Sequence, residues 1–252
     1  MADARTTPGS VRAAGPQPRP GRVGTRQRAS HSLEAVVSEA VTLLDEAGES
    51  ALTFRALAAR LGGGVGSIYW YVSSKDELVA RASDHVLTDV LAATEGAARA
   101  EDPVEGLREM AVAFYRVIAS RPWLGSYFQR DSGLQPNALR LYERMGQQAM
   151  RLDLTARQRF HAVSAVTGYV IGVASDLGRH PEDGAAHDLA PVDRDDTTRL
   201  DEAVDEWRSL PETEYPFVHH IVDEFATHDD EEVFVAGLDL LLDGIRRQAG
   251  GH

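Results

Sequence analysis

The sequence predicts an all-α chain. Apolar residues recur at three- and four-residue steps in one segment after another, the spacing that buries one side of a helix. No segment alternates apolar and polar residues as a half-buried strand would, and no internal repeat is visible. Helix-start signals precede two of the apolar runs: Ser74-Lys75-Asp76-Glu77, and Thr155 with Gln158, both at capping-box spacing. At 252 residues the chain is long enough for one large or two ordinary domains. It has no cysteine, which excludes a disulfide framework, a thiolate zinc site and a cysteine nucleophile. No apolar run approaches the roughly 20 residues that cross a bilayer. The N-terminus is rich in arginine and proline and lacks an apolar signal core, so a soluble cytoplasmic protein is expected.

Residues 1–29 contain Pro8, Pro16, Pro18 and Pro20 and almost no large apolar residues, and are read as a disordered basic arm. The net charge of −13 is unevenly spread. Residues 1–28 carry six arginines against one acid, whereas residues 96–252 carry 16 basic and 28 acidic residues. A basic end and an acidic body suit an arm that touches phosphate or the minor groove; a merely solvated tail is the alternative. His31 to Ala47 is the first helix, with Leu33, Val36, Val37, Ala40, Val41 and Leu44 on one face and Gly48 ending it. Thr53 to Leu61 is the second, with Phe54, Leu57, Ala58 and Leu61 apolar. Gly62-Gly63-Gly64 breaks it. Val65 to Tyr71 is a short third segment, and Ile68 and Trp70 are expected in the core. Two short helices joined by a glycine turn form the helix-turn-helix pattern, whose second helix enters the DNA major groove. A plain structural hairpin has the same spacing.

Lys75 to about Thr94 is a longer helix, placed to link the two parts of the chain. Pro103 to Ser120 follows. Arg121-Pro122 then precedes an aromatic turn or short helix at Trp123–Phe128. Pro136 to Leu152 is helical, with Leu139, Tyr142, Met145 and Ala149 on its inner side. A long helix runs from Thr155 to about Leu177. Residues 179–198 are acidic and read as a mobile loop. Helices resume at Arg199–Leu210, Tyr215–Phe225 and Asp229–Gln248. The domains are therefore an arm (1–29), a three-helix head with the helix-turn-helix (30–76) and a larger helical body (77–252).

Near the start of the second helix, the Arg55 guanidinium suits bidentate contact with guanine O6 and N7, or a surface salt bridge to an acid such as Glu49. The segments LTFRALAARLG, SIYWYV and SKDELV, at these separations, resemble the DNA-binding domain of the TetR family of bacterial repressors. The resemblance covers about the first 90 residues; the later match is weaker, chiefly FVAGLDLLLDGI. It implies that Arg55 contacts DNA and that Ser67, Tyr69, Tyr71 and Lys75 touch phosphate, with Tyr69 and Lys75 foremost. It also shows a departure: where the family usually has a buried valine after Leu61-Gly62, Gly63 stands. With Gly64 and Gly66 nearby, Val65 and Gly66 offer at most an apolar contact to a thymine methyl or close backbone approach.

In the body, Ala162, Ala165, Gly168, Gly172 and Ser175 form a small-residue stripe on the long helix. The last helix offers Gly237, Leu240, Leu241 and Gly244. These read as a four-helix interface with a second copy, as the resemblance also implies, or as ordinary intrachain packing. A homodimer would place two reading helices about one DNA turn apart, on a palindromic double-stranded operator. Phe114, Trp123, Phe128, Met145, His161 and Tyr169 are the candidate lining of a cavity for a small apolar or aromatic effector, which the resemblance implies; plain core is the alternative. No metal or cofactor is expected: His219-His220 point about 100° apart on a helix and cannot easily share an ion. No catalytic constellation is present either. The function expected is a DNA-binding transcriptional regulator, a repressor released by its ligand. The alternatives are a ligand-independent dimeric DNA binder, or a small-molecule-binding helical protein with a vestigial hairpin.

Overall fold

Why most of the helices begin where they do is written in their first residues. In the computed structural model, which describes residues 31–130, 135–177 and 196–251, regular structure among those residues is helical throughout. The order is α1 (Leu33–Ala51), α2 (Phe54–Arg60), α3 (Val65–Ile68), α4 (Lys75–Ala93), α5 (Pro103–Ala119), α6 (Pro122–Arg130), α7 (Pro136–Met150), α8 (Ala156–Leu177), α9 (Asp196–Ser209), α10 (Pro216–Thr227) and α11 (Asp230–Ala249). The Ser32, Thr53 and Ser74 hydroxyls accept from the amides of Ala35, Ala56 and Glu77 at 3.0, 3.1 and 3.0 Å. Asp102 and Asp229 accept from Val104 and Glu232, each at 2.8 Å. Caps of this kind stabilise a helix start by about 1 kcal/mol each. Pro103, Pro136 and Pro216 open α5, α7 and α10, where the missing amide proton costs nothing.

The three-helix head closes around Val36, Ala40, Leu44, Leu52, Leu57, Ile68, Val72 and Leu78, all buried. Gly48 breaks the regular winding of α1 as expected, with φ 70°, but one more helical turn follows it to Ala51. α4 packs on α1 and also on α5, α6 and α7, so it belongs to head and body alike. The body is built from α5 to α8 with α11 against α5 and α8, around Leu107, Met110, Phe114, Ile118, Leu124, Met145, Val166, Val170 and Phe234. Helices α9 and α10 pair with each other.

Several expectations are corrected. α7 is turned from its predicted stripe: Leu141, Met145, Gln148 and Ala149 face inward, while Leu139 is 49% exposed and Tyr142 is at the surface. Both stripes fit the helical period. Contact with α4, α5 and α8 selects between them, and the buried Gln148 is satisfied by donating to the Ala98 carbonyl at 2.9 Å. Trp70 is not core: it is 88% exposed, while Ile68 is fully buried. The small-residue stripe of α8 divides. Ala162 and Ser175 are buried in their own chain, and Ser175 lies against Gly125 of α6; Ala165, Gly168 and Gly172 face outward. The basic arm and most of the acidic loop lie outside the described residues; 196–198, expected in that loop, already belong to α9.

Candidate nucleic-acid interface

The turn between α2 and α3 is dictated by glycine. Gly62 has φ +69°, a left-handed conformation that costs other L-residues about 1–2 kcal/mol. Its amide donates to Ala59 O at 3.2 Å and that of Gly63 to Ala58 O at 2.9 Å, which closes the end of α2 as a Schellman motif. Gly63 is explained by its neighbour. A Cβ there would stand 3.1 Å from His31 Nε2 and 3.2 Å from Ser67 Oγ, so the His31 ring occupies the space a larger residue would need. The Tyr71 hydroxyl holds His31 from the other side by donating to its carbonyl.

α3 is a single turn, shorter than the Val65–Tyr71 span expected from sequence, and no side chain caps it. The chain keeps winding past it, since the amides of Tyr71 and Val72 donate to Ile68 O at 2.9 and 3.2 Å. α4 begins with Glu77 bonded to Ser73, at 2.8 Å to the amide and 2.6 Å to the hydroxyl, rather than to the Ser74 amide of a regular capping box. These two Ser73 bonds, with the Arg81 guanidinium, hold the Glu77 carboxyl down at about 2.

The predicted DNA-contacting residues separate into committed and free groups. Ser67 Oγ donates to Gly64 O at 2.6 Å. The Tyr71 hydroxyl is spent on His31, and the Lys75 ammonium donates to the Glu49 carbonyl at 2.6 Å. Arg55 is exposed and makes no ion pair among the described residues; Glu49, its alternative partner, is taken by Arg130 at 2.6 Å. Tyr69 is 59% exposed, with its ring edge-on to Phe54 at 4.8 Å and its hydroxyl unbonded among the described residues. Val65 is half-buried against the head's core and Gly66 is exposed with open space around it. Arg60, which sequence reasoning passed over, is the structural cation of the head. It reaches from α2 to Glu39 and Glu46 on α1, which raises its own pKa and lowers that of Glu46. Those partners lie 14 and 21 residues away in sequence, so no local pattern announces them.

Of the proposed cavity lining, Phe114, Trp123, Phe128 and Met145 are buried, and the Phe114 and Phe128 rings meet edge-on at 5.5 Å. The Trp123 indole N–H donates to Asp45 Oδ1 of α1 at 2.7 Å, and Arg121 pairs with the same carboxylate at 3.3 Å. Tyr169 belongs elsewhere, stacked on Phe234 at 5.4 Å, with Tyr115 on Phe234 at 3.8 Å; its hydroxyl donates to Phe234 O at 3.1 Å. His161 is exposed, because the next two residues, Ala162 and Val163, take the buried side of α8.

A family model described as bacterial regulatory proteins, tetR family, matches residues 36–82, and one for the tetracyclin repressor-like C-terminal domain matches residues 97–249. The chain belongs to the TetR family. A TetR-type transcriptional regulator from Streptomyces coelicolor superposes with a TM-score of 0.72 at 32% identity, over 87% of this chain and 99% of that one. ActR of the same organism, solved in complex with actinorhodin, has the same fold, with a TM-score of 0.72 at 23% identity over 88% of this chain and 98% of that one. An HTH-type transcriptional repressor of Mycobacterium tuberculosis is 32% identical over 160 residues, 62% of this chain and 61% of that protein. The chain spans about three fifths of the length of the curated relatives it matches. Among the described residues no helix is long and apolar enough to cross a membrane.

Proposed function

We propose that this TetR-family chain is a transcriptional repressor that binds a palindromic DNA operator as a homodimer and leaves it when a small apolar or aromatic molecule enters the body. The observation that carries the DNA-binding half is the division of labour in the head. Arg60 is engaged by Glu39 and Glu46 and Lys75 donates to the Glu49 carbonyl, while the Arg55 guanidinium and the Tyr69 hydroxyl are exposed with no ion pair or hydrogen bond among the described residues. A free guanidinium reads guanine and a free phenol positions phosphate.

Dimerisation is supported by an apolar face that no described residue covers. Leu240 is 74% exposed on α11 in line with Val233 and Ala236, and Ala165, Gly168 and Gly172 line the outer side of α8. Ligand control is supported by the joints between body and head. α4 spans both, and α6, which carries Trp123 and Phe128, is tied to α1 through Asp45 and Glu49. A ligand that displaced α6 would shift the head and so lower the population competent for DNA.

Selection of bound duplexes from a random pool tests the reading. The selected site is expected to be palindromic, its affinity to fall steeply with salt, and Arg55→Ala and Tyr69→Phe to weaken it. Full-length protein that enriches no duplex would refute the proposal. An effector found by screening for release must itself bind more weakly in the presence of operator, by the same factor.

A further inference from the structure

An open cleft of about 680 Å³ lies between α1, α4 and the start of α7, where head and body share a helix. Pockets for small organic molecules measure about 300–1,000 Å³, so one such molecule fits. The wall from α4 is a single face, because Ala80, Asp84 and Thr88 recur four residues apart. Ala80 gives that wall only a methyl group and so leaves space. The apolar lining is Leu33 and Val37 from α1, Ala80 from α4 and Pro136 from α7. Phe114, Trp123, Phe128 and Met145 take no part in it, so the cleft is separate from the candidate effector cavity of the body.

The charges in the cleft do not balance. Glu34, Glu77 and Asp84 line it with one guanidinium, Arg81, and one exposed imidazole, His85. Arg81 donates twice to Glu77 Oε1, at 3.0 and 2.8 Å, so that pair is closed on itself. Glu34 is exposed and has no ion pair among the described residues. Asp84 accepts from the Asn137 amide at 2.7 Å through Oδ1, which fixes its carboxylate in place without neutralising it. Two uncompensated carboxylates beside an apolar lining complement a cation with an apolar body. The described residues assemble no group of three His, Asp or Glu that could hold a metal ion, whereas one carboxylate suffices for an ammonium. We propose that the cleft is a binding site for a small organic amine, its ammonium drawn to Glu34 and Asp84 and its apolar body resting on Leu33, Val37 and Ala80. An occupant that touches α1, α4 and α7 bridges head and body at their shared joint. The site is defined by the cleft itself and does not rest on the DNA-binding reading.

Calorimetric titration of the full chain compares 2-phenylethylamine, a cation with an apolar ring, with 2-phenylethanol, which keeps the ring and lacks the charge. One amine per protomer is expected, bound about tenfold more tightly than the alcohol and more weakly as salt rises. Glu34→Gln and Asp84→Asn keep the shape of each side chain and remove its charge. Each should weaken the amine about two- to fivefold and leave the alcohol unchanged. Ala80→Phe fills the cleft and should abolish saturable binding of the amine. Equal binding of amine and alcohol, or no saturable binding of the amine to wild type, overturns the proposal. An amine that binds Ala80→Phe as it binds wild type overturns it too, because the amine then sits elsewhere. If Ala80→Phe does not fold, the double variant Glu34→Gln/Asp84→Asn decides, and unchanged amine affinity there overturns the proposal. Dimer loss in Ala80→Phe, with no amine bound by wild type, would assign the cleft to a second copy of the chain instead.

Discussion

Replacing Gly237 with alanine sets two effects of opposite sign against each other in the middle of α11. Alanine in a helix interior is worth about 0.8–1.0 kcal/mol over glycine, so propensity alone predicts stabilisation. The new methyl group would overlap the Tyr169 hydroxyl and stand 2.8 Å from its Cζ. Tyr169 cannot yield without loss, since its hydroxyl donates to Phe234 O at 3.1 Å and its ring stacks on Phe234 at 5.4 Å. Losing that hydrogen bond costs about 0.5–1.5 kcal/mol, disturbing the ring pair a similar amount, and overpacking about 1–3 kcal/mol. The losses exceed the gain, and Gly237→Ala is expected to destabilise the protein by about 1–3 kcal/mol. Urea denaturation at fixed protomer concentration measures it, because any dimer makes the midpoint depend on concentration. In a Tyr169→Leu background the same substitution should become neutral or stabilising. A Gly237→Ala protein as stable as wild type would refute this account of how α8 and α11 approach each other.

Three further outcomes follow from single contacts. Gly62→Ala meets no atom within 4 Å but must hold φ +69°, so it should lower stability by about 1 kcal/mol in thermal unfolding, with Gly62→Asn less harmful; no loss would mean the turn is not held left-handed. Asp45→Ala leaves the buried Trp123 indole N–H without its 2.7 Å acceptor, and should cost about 1–3 kcal/mol with a shift in tryptophan emission; an unchanged midpoint would show that α6 and α1 are not joined there. Burial, assisted by the carboxylates of Asp230, Glu231 and Asp229, pushes the Tyr115 hydroxyl up to about 12. An unfolded tyrosine ionises first, at about pH 10, so Tyr115 adds stability below that and loses it as pH rises toward 12; burial raises Tyr169 as well, so the late part of the tyrosinate absorbance titration should shrink in Tyr115→Phe, and an unchanged late part would refute the assignment.

The sequence alone determined the helical fold, the order of its elements and the location of the reading head. Those signals are local: a hydroxyl or carboxylate cap, a proline in a first turn, a glycine that must turn left-handed, and an apolar residue every three or four positions. Each acts within about one helical turn, so it can be read without knowing what lies across the molecule. Only the tertiary structure decided which of two equally periodic stripes of α7 faces inward, because its neighbours make that choice. It also decided that Trp70 faces out, that Arg60, Tyr71 and Lys75 are committed to internal partners, and that Trp123 holds α1. Those assignments depend on groups distant in the chain. A side chain suited to DNA is available for it only if no carboxylate or carbonyl of the fold has already claimed it, and that competition is settled in three dimensions. Among the described residues, none claims the Arg55 guanidinium or the Tyr69 hydroxyl.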